Sequence, residues 1–180
     1  SSILDTECAL TMQKHLEQNG INFLLGDSVA SFEKNTAIMN SGKTVHFDVL
    51  VLAVGVRANT SLIKDISGEV NRGILVNTKM ETSIPDVYAA GDCTEGEDIS
   101  FQGKRVLAIL PNAYMQGNCA GVNMAGNSAI FDKAIPMNSI GFFGLHAMTA
   151  GSYYTAEQGG ELYEEKTEHT LKRLITKDDY

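Results

Sequence analysis

The stretch from Val87 to Asp92 reads Val-Tyr-Ala-Ala-Gly-Asp, an apolar run that ends in a glycine and an acid. We interpret Val87 to Ala90 as a strand buried in a sheet. Gly91 would let a ligand approach the backbone closely. Ligands of open α/β sheets bind at the carboxyl edge, where Asp92 would accept hydrogen bonds from sugar-like hydroxyls. On these residues alone, a strand that ends in an ordinary Gly-Asp turn is an equally good interpretation.

A second apolar run lies upstream, from Asp48 to Val54, and ends at Gly55. A run without alternation predicts a strand buried on both faces, as in a parallel sheet covered by helices. Before it, residues 7–19 have the caps and the apolar periodicity of a helix. The remaining segments predict short strands, and the last two of them predict a hairpin across a turn: 21–25, 29–33, 36–39 and 43–47.

After the apolar run that ends at Gly55, the pattern predicts a short helix at 61–66 and strands at 73–76 and 78–82. The polar residues 93–104 predict an exposed loop. Pro111 is suited to the first turn of a helix, which would run to Ala125 and stop at Gly126. One side of this helix carries small residues that permit close approach: Ala113, Gly117, Ala120 and Gly121. After Asn127 the pattern changes to antiparallel strands, at 138–142, 147–151, 161–166 and 170–175.

The composition excludes several classes of protein. With 43% hydrophobic and 20% charged residues, the 180-residue chain is typical of a soluble globular protein. A formal net charge of -8 argues against a binder of nucleic acid or of anionic membranes. No apolar run approaches the about 20 residues that span a bilayer. Three widely spaced cysteines predict reduced thiols in a cytoplasmic protein, and no spacing predicts a metal site.

The segment from Thr82 to Asp92 resembles the second FAD-binding fingerprint of the pyridine nucleotide-disulphide oxidoreductase superfamily. In that fingerprint a Thr is followed by an apolar strand and Ala-x-Gly-Asp. The resemblance implies that Asp92 binds the ribityl chain of FAD near the pyrophosphate. It also implies that Gly91 provides the close backbone approach.

Two further segments match the same family in the expected order. Residues 49–59 resemble an apolar strand followed by Gly-x-Arg-Pro-Asn, with Ala58 in place of the proline, and this implies that Gly55 lets the nicotinamide cofactor approach. Leu110-Pro111-Asn112-Ala113, with Gln116-Gly117, resembles a helix whose N-terminus points at the flavin. A helix N-terminus suits the negative charge of reduced flavin, which implies contacts from Pro111, Asn112 and Ala113. A plain amphipathic helix remains the alternative for this segment.

The tail resembles the start of the C-terminal domain in the branch with NADH oxidase-like, nitrite reductase-like and rubredoxin reductase-like enzymes, through Asn138–Leu145 and Ala150-Gly151. That domain often forms the dimer interface in the superfamily, which implies a homodimer. The expected fold is α/β: partial three-layer FAD- and NAD(P)-binding domains, then the start of an α+β domain. The expected divisions are residues 1–60 from the NAD(P)H domain, 61–126 from the FAD domain and 127–180 from an incomplete C-terminal domain.

The resemblance implies a flavoprotein that passes hydride from NAD(P)H to FAD and on to a small-molecule or protein acceptor. The sequence contains no Gly-x-Gly-x-x-Gly loop, although the family needs two. We therefore expect a C-terminal fragment that is inactive in isolation, with no catalytic or metal-binding residue of its own. A non-catalytic oligomerisation or regulatory module with a reductase-like fold remains the alternative.

Overall fold

Internal contacts divide the chain into two units, which the computed structural model describes over residues 4–100, 103–153, 158–167 and 170–177. The smaller unit comprises 6–56 and 141–145, and the larger one comprises 1–5, 57–140 and 146–180. The division into domains 1–60, 61–126 and 127–180 stays a prediction.

The smaller unit begins with helix α1, Thr6–Gln18, as predicted. Glu7 lies in its first turn, where a negative charge interacts favourably with the helix dipole, and Leu16 is its buried residue. An antiparallel sheet follows, with the strand order β1-β2-β3. This confirms three of the predicted strands and their hairpin, with β1 at Val29–Glu33, β2 at Thr36–Met39 and β3 at Thr44–His46.

Two strand predictions in this unit are wrong. Residues 21–25 and 48–54 adopt irregular backbone. The second run is largely exposed, with Val51 at 79% and Val54 at 91%. An apolar run becomes a buried strand only when neighbouring strands pair with its backbone on either side. Within the described ranges, no strand is paired with residues 48–54, and that explains the difference.

The larger unit contains a short helix, a small sheet and a long helix, and it confirms the predicted α/β class. Strands β4 and β5 are parallel, and β6 adds to β5 in the antiparallel direction. The long helix covers this sheet, because its Cys119 and Ala120 share a core cluster with Ile74 and Val76. The elements are α2 at Ser61–Lys64, β4 at Ile74–Leu75, β5 at Thr94–Glu97, β6 at Lys104–Arg105 and α3 at Leu110–Met124.

Two more strand predictions fail in this unit. Residues 78–82 and 87–90 form only an isolated bridge, between Glu81 and Tyr88. Residues 87–90 are half-buried beside the core, so the prediction was right in part about burial and wrong about sheet pairing. Strand pairing depends on partners that are remote in sequence, and the apolar pattern contains no information about those partners.

The prediction of an exposed loop at 93–104 is also wrong for the described residues, which contain β5 and the start of β6, whereas 101–102 lie outside the described residues. Thr94, Glu95 and Asp98 in this segment are buried. Each has hydrogen-bond partners: the Glu95 carboxylate, for example, accepts from Gly73 N–H and from Asn71 Nδ2, both at 3.0 Å. Polar side chains can be buried when such partners satisfy them.

The C-terminal part confirms the four predicted strands. Strands β7 and β8 form one two-stranded sheet, joined by Phe143 and Gly144 with φ of 49° and 83°, as in a type I′ turn. Strands β9 and β10 form an antiparallel pair. Their bounds are Met137–Phe142, Leu145–Ala150, Glu161–Lys166 and Leu171–Thr176. Among the described residues, no helix has the length and apolar character that crossing a membrane requires.

Candidate functional site

The turn at Gly91 and the first turn of α3 lie side by side in the larger unit. Gly91 has φ of +88°, in the left-handed region. A Cβ added there would lie 3.7 Å from the Ala113 Cβ, which is ordinary van der Waals distance. Asp92 follows directly and is exposed. The structure therefore brings the predicted residues Gly91, Asp92 and Ala113 together, with a carboxylate on the solvent side.

Helix α3 presents its N-terminus to solvent. Ile109 is the extended N-cap residue, Pro111 lies in the first turn, and Leu110 is 83% exposed. Amides at the start of a helix carry partial positive charge, which suits an anionic group. The Ala113 N–H already donates to Ile109 O at 3.1 Å. Ala113 therefore borders the Gly91 turn, and the exposed residues of the first turn are Leu110 and Pro111.

Asn112 is fully buried at the start of this helix. Its Nδ2 donates to Ile135 O at 3.2 Å, and its Oδ1 has no hydrogen-bond partner among the residues that the structure describes. The side chain thus fixes the helix N-terminus to the segment that precedes β7. Because the whole residue is buried, the contact that the sequence predicts between Asn112 and the cofactor stays a prediction.

The buried face of α3 is rich in amides, which sequence reasoning did not anticipate. Asn112, Gln116 and Asn123 lie on it together with Cys119 and Ala120. Of the small residues predicted to permit close approach, Ala120 is buried in the core and Ala113 lies beside the Gly91 turn. A Cβ at Gly117 or at Gly121 would meet nothing within 4 Å. The signal for the true face was the repetition of amides at helical spacing.

Gln116 connects α3 to the Gly91 turn. Its Oε1 accepts from Gly91 N–H at 2.7 Å and from the Thr94 hydroxyl at 3.0 Å. Thr94 is buried and was predicted to lie in an exposed loop, so the sequence reasoning missed it. Gln116 was singled out as part of a motif but without a role.

Gly55, predicted to admit the nicotinamide cofactor, lies in the smaller unit. Its φ is +94°, and a Cβ there would meet nothing within 4 Å. Its exposed backbone is accessible to a ligand. Its role in binding the nicotinamide cofactor stays a prediction.

The cysteines near the site have the properties of packed thiols. Burial raises the pKa of the Cys119 thiol, which makes its reactive thiolate form scarcer. Cys119 Sγ lies 3.6 Å from Thr78 O, and Cys93 Sγ lies 3.6 Å from Ala90 O. Across the described parts of the chain, no group of three or more His, Cys, Asp or Glu side chains is arranged to hold a metal ion.

Substitution of Gly91 tests the backbone requirement. We expect Gly91→Ala to lower the free energy of unfolding by about 1 to 2 kcal/mol, because an L residue is strained at this φ although the space is sufficient. Gly96→Ala is the matched control: its φ is ordinary and its Cβ would lie 3.5 Å from Val76 Cγ2. Urea denaturation of the intact protein measures both. Equal midpoints for the two variants would contradict the strain.

The family model described as pyridine nucleotide-disulphide oxidoreductase matches residues 2–117, which include the Gly91 turn and the start of α3. The chain belongs to this family. FAD and NAD(P)H are the cofactors of the pyridine nucleotide-disulphide oxidoreductases. The α/β fold of this chain is consistent with membership of that family.

The chain also resembles known proteins over most of its length. It is 33% identical to the NADH-dependent phenylglyoxylate dehydrogenase subunit epsilon of Aromatoleum evansii, covering 99% of this chain and 44% of that protein. It is 38% identical to an NADH oxidase of Methanocaldococcus jannaschii, over 71% of this chain and 30% of that protein. A solved FAD-dependent pyridine nucleotide-disulphide oxidoreductase from Desulfovibrio vulgaris is 26% identical with a TM-score of 0.84, covering 97% of this chain and 46% of that one. The chain thus spans less than half the length of these relatives.

Proposed function

We propose that this chain is part of an FAD-dependent NAD(P)H oxidoreductase, which passes hydride from NAD(P)H to FAD and on to a small-molecule or protein acceptor. One observation carries the proposal: the left-handed Gly91, the exposed Asp92 and the exposed N-terminus of α3 adjoin within one unit. A flat, polar and negatively charged cofactor fits this combination of close backbone approach, carboxylate and helix end. The residues present therefore fit one half of an FAD site.

Each predicted site residue has a distinct role in binding FAD or the nicotinamide cofactor. The Asp92 carboxylate accepts hydrogen bonds from ribityl hydroxyls, and the bare Gly91 admits the cofactor to the backbone. The first turn of α3, at Pro111 and Asn112, directs its partial positive charge at the flavin ring, and Ala113 borders it. Gly55 admits the nicotinamide cofactor. Bound FAD supplies the two-electron chemistry, and the protein holds and orients it.

The proposal extends to the intact protein. Relatives include an assimilatory nitrate reductase electron transfer subunit and an NADH-rubredoxin oxidoreductase, whose names support an acceptor beyond the flavin.

We propose a homodimer formed through residues 127–180 and a cytoplasmic location. The free thiols of Cys93 and Cys119 support that location. The 180 residues alone would be inactive, because they carry no Gly-x-Gly-x-x-Gly loop to cradle a pyrophosphate.

A non-catalytic module is the second candidate. The lack of both glycine-rich loops in this sequence favours it. The Gly91 turn and the exposed start of α3 favour the oxidoreductase instead, since an oligomerisation module has no need of either. Absence of bound or bindable FAD in the intact protein would decide for the module.

Substitution of Asp92 tests the oxidoreductase. We expect Asp92→Ala in the intact protein to weaken FAD binding about tenfold or more, because hydrogen bonds from hydroxyls to a carboxylate contribute about 1.5 to 3 kcal/mol. The fold should be unaffected, since Asp92 is exposed. The dissociation constant is measured by flavin fluorescence during titration of the apoprotein with FAD.

The matched control for Asp92 is Asp132→Ala, which removes another exposed carboxylate and should leave FAD affinity unchanged. Asp92→Asn should retain part of the affinity, because an amide oxygen still accepts hydrogen bonds. If Asp92→Ala binds FAD as tightly as Asp132→Ala does, the assignment of Asp92 is wrong.

A further inference from the structure

Gln116 lies on the buried face of α3, one turn after Asn112, and its amide reaches the Gly91 turn. The group that faces Gly91 must be the amide oxygen, because the Gly91 N–H can only donate. The same oxygen accepts from the Thr94 hydroxyl. Gln116 and Thr94 are 5% and 2% exposed, so water competes little for these bonds.

Thr94 holds the other side of the same turn. Its N–H donates to Gly91 O at 3.0 Å, and its hydroxyl lies 2.8 Å from that carbonyl. The single hydroxyl hydrogen is shared between Gly91 O and Gln116 Oε1. The N–H and the C=O of Gly91 are therefore both fixed by buried groups, one from α3 and one from β5.

We propose that Gln116 and Thr94 form a clamp that sets the position of the Gly91 turn against the N-terminus of α3, and so aligns the two parts of the FAD site in this chain. The inference rests on the proposed function. Both are positioning residues, since their buried side chains act through Gly91 and α3. Asp92 adjoins Gly91 and anchors the ribityl chain, whereas the α3 N-terminus favours the reduced, more negative state of the flavin.

Loss of the clamp should therefore change both the affinity for FAD and the preference for reduced over oxidised FAD. The anchoring by Asp92 determines FAD affinity. The helix charge determines the preference for reduced over oxidised FAD, and it acts only over about one turn. A relative shift of the two elements would weaken both effects, whereas a residue that only stabilises the fold would leave the preference unchanged.

The test uses the intact protein with FAD as the probe. Gln116→Met keeps the length of the side chain but removes the acceptor. We expect its Kd for FAD to rise about tenfold, the size expected for loss of one buried hydrogen bond. We also expect the ratio of affinities for reduced and oxidised FAD to fall about tenfold, which corresponds to a two-electron midpoint potential about 30 mV more negative.

One matched control keeps an acceptor oxygen at position 116, and the other removes an amide elsewhere on α3. Gln116→Glu retains an acceptor oxygen in either protonation state, so its FAD affinity should stay within about twofold of the wild-type value. Asn118→Met removes an exposed amide from the same helix and should change neither quantity. Should Gln116→Met fail to fold, Thr94→Val applies the same test, with Thr94→Ser as its rescue.

Unchanged Kd and potential in Gln116→Met, or in Thr94→Val if it replaces that variant, would overturn the clamp. So would lower stability without a shift in potential, because that describes a merely structural residue. These failures differ from failure of the proposed function. A wild-type intact protein that binds no FAD would overturn the proposed function, whereas normal wild-type binding with unaffected clamp variants overturns the clamp alone.

Discussion

Replacement of Asn123 by leucine is expected to lower the free energy of unfolding by about 3 kcal/mol, because three part-buried hydrogen bonds to backbone groups are lost together. Asn123 Nδ2 donates to Lys79 O at 2.9 Å and to Ala129 O at 3.0 Å, and Oδ1 accepts from Ala129 N–H at 2.9 Å. This amide joins the end of α3 to two loops. Leucine has the same number of side-chain heavy atoms and the same branching at Cγ, so it removes the hydrogen bonds without leaving a cavity.

The matched control is Asn118→Leu, which changes an exposed amide on the same helix and should alter stability by no more than about 0.5 kcal/mol. Urea denaturation of the intact protein at saturating FAD, followed by far-UV circular dichroism, compares the two variants. If their midpoints coincide, the hydrogen bonds of Asn123 to Lys79 and Ala129 contribute nothing to stability.

Replacement of Arg105 by methionine is the second substitution with a large expected effect. The Asp98 side chain is fully buried and forms an ion pair with Arg105 Nε. Arg105 Nη2 also donates to Ser152 Oγ, which links β6 to the segment after β8. Methionine retains the aliphatic stem and leaves a buried carboxylate without its cation. We expect a cost of about 3 kcal/mol, because removal of one partner of a buried pair typically costs 3 to 5 kcal/mol and Ser100 still donates to Asp98.

The neighbouring residue supplies the control for Arg105. Lys104 Nζ lies 4.0 Å from Glu97 Oε1, and both side chains are exposed. Lys104→Met should therefore cost at most about 0.5 kcal/mol. The double variant Arg105→Met with Asp98→Asn should recover part of the loss, since a neutral amide tolerates burial better than a carboxylate does. Equal stabilities of Arg105→Met and Lys104→Met would refute the proposed importance of the buried pair.

The candidate site was predictable in part. Motifs in the sequence single out Gly91, Asp92 and the start of α3 at Pro111, and their roles in binding FAD stay a prediction. Their adjacency and the +88° φ of Gly91 emerge only in the folded chain. Thr94 lay outside the motifs and Gln116 lay in one without a role, because the contribution of a threonine or a glutamine depends on which remote groups it contacts.

Local sequence determined the elements whose hydrogen bonds are local. Helices α1 and α3 begin and end within about two residues of their predicted bounds, since caps, Pro111 and Gly126 act within a turn. The hairpin of β2 and β3 likewise depends on the turn between them. Tertiary structure decided the rest. Residues 48–54 and 87–90 have strand-like sequences without a paired sheet, while the polar Thr94, Glu95 and Asp98 are buried. The reason is the same in both cases: strand pairing and polar burial need partners from distant parts of the chain, and residue patterns do not specify those partners.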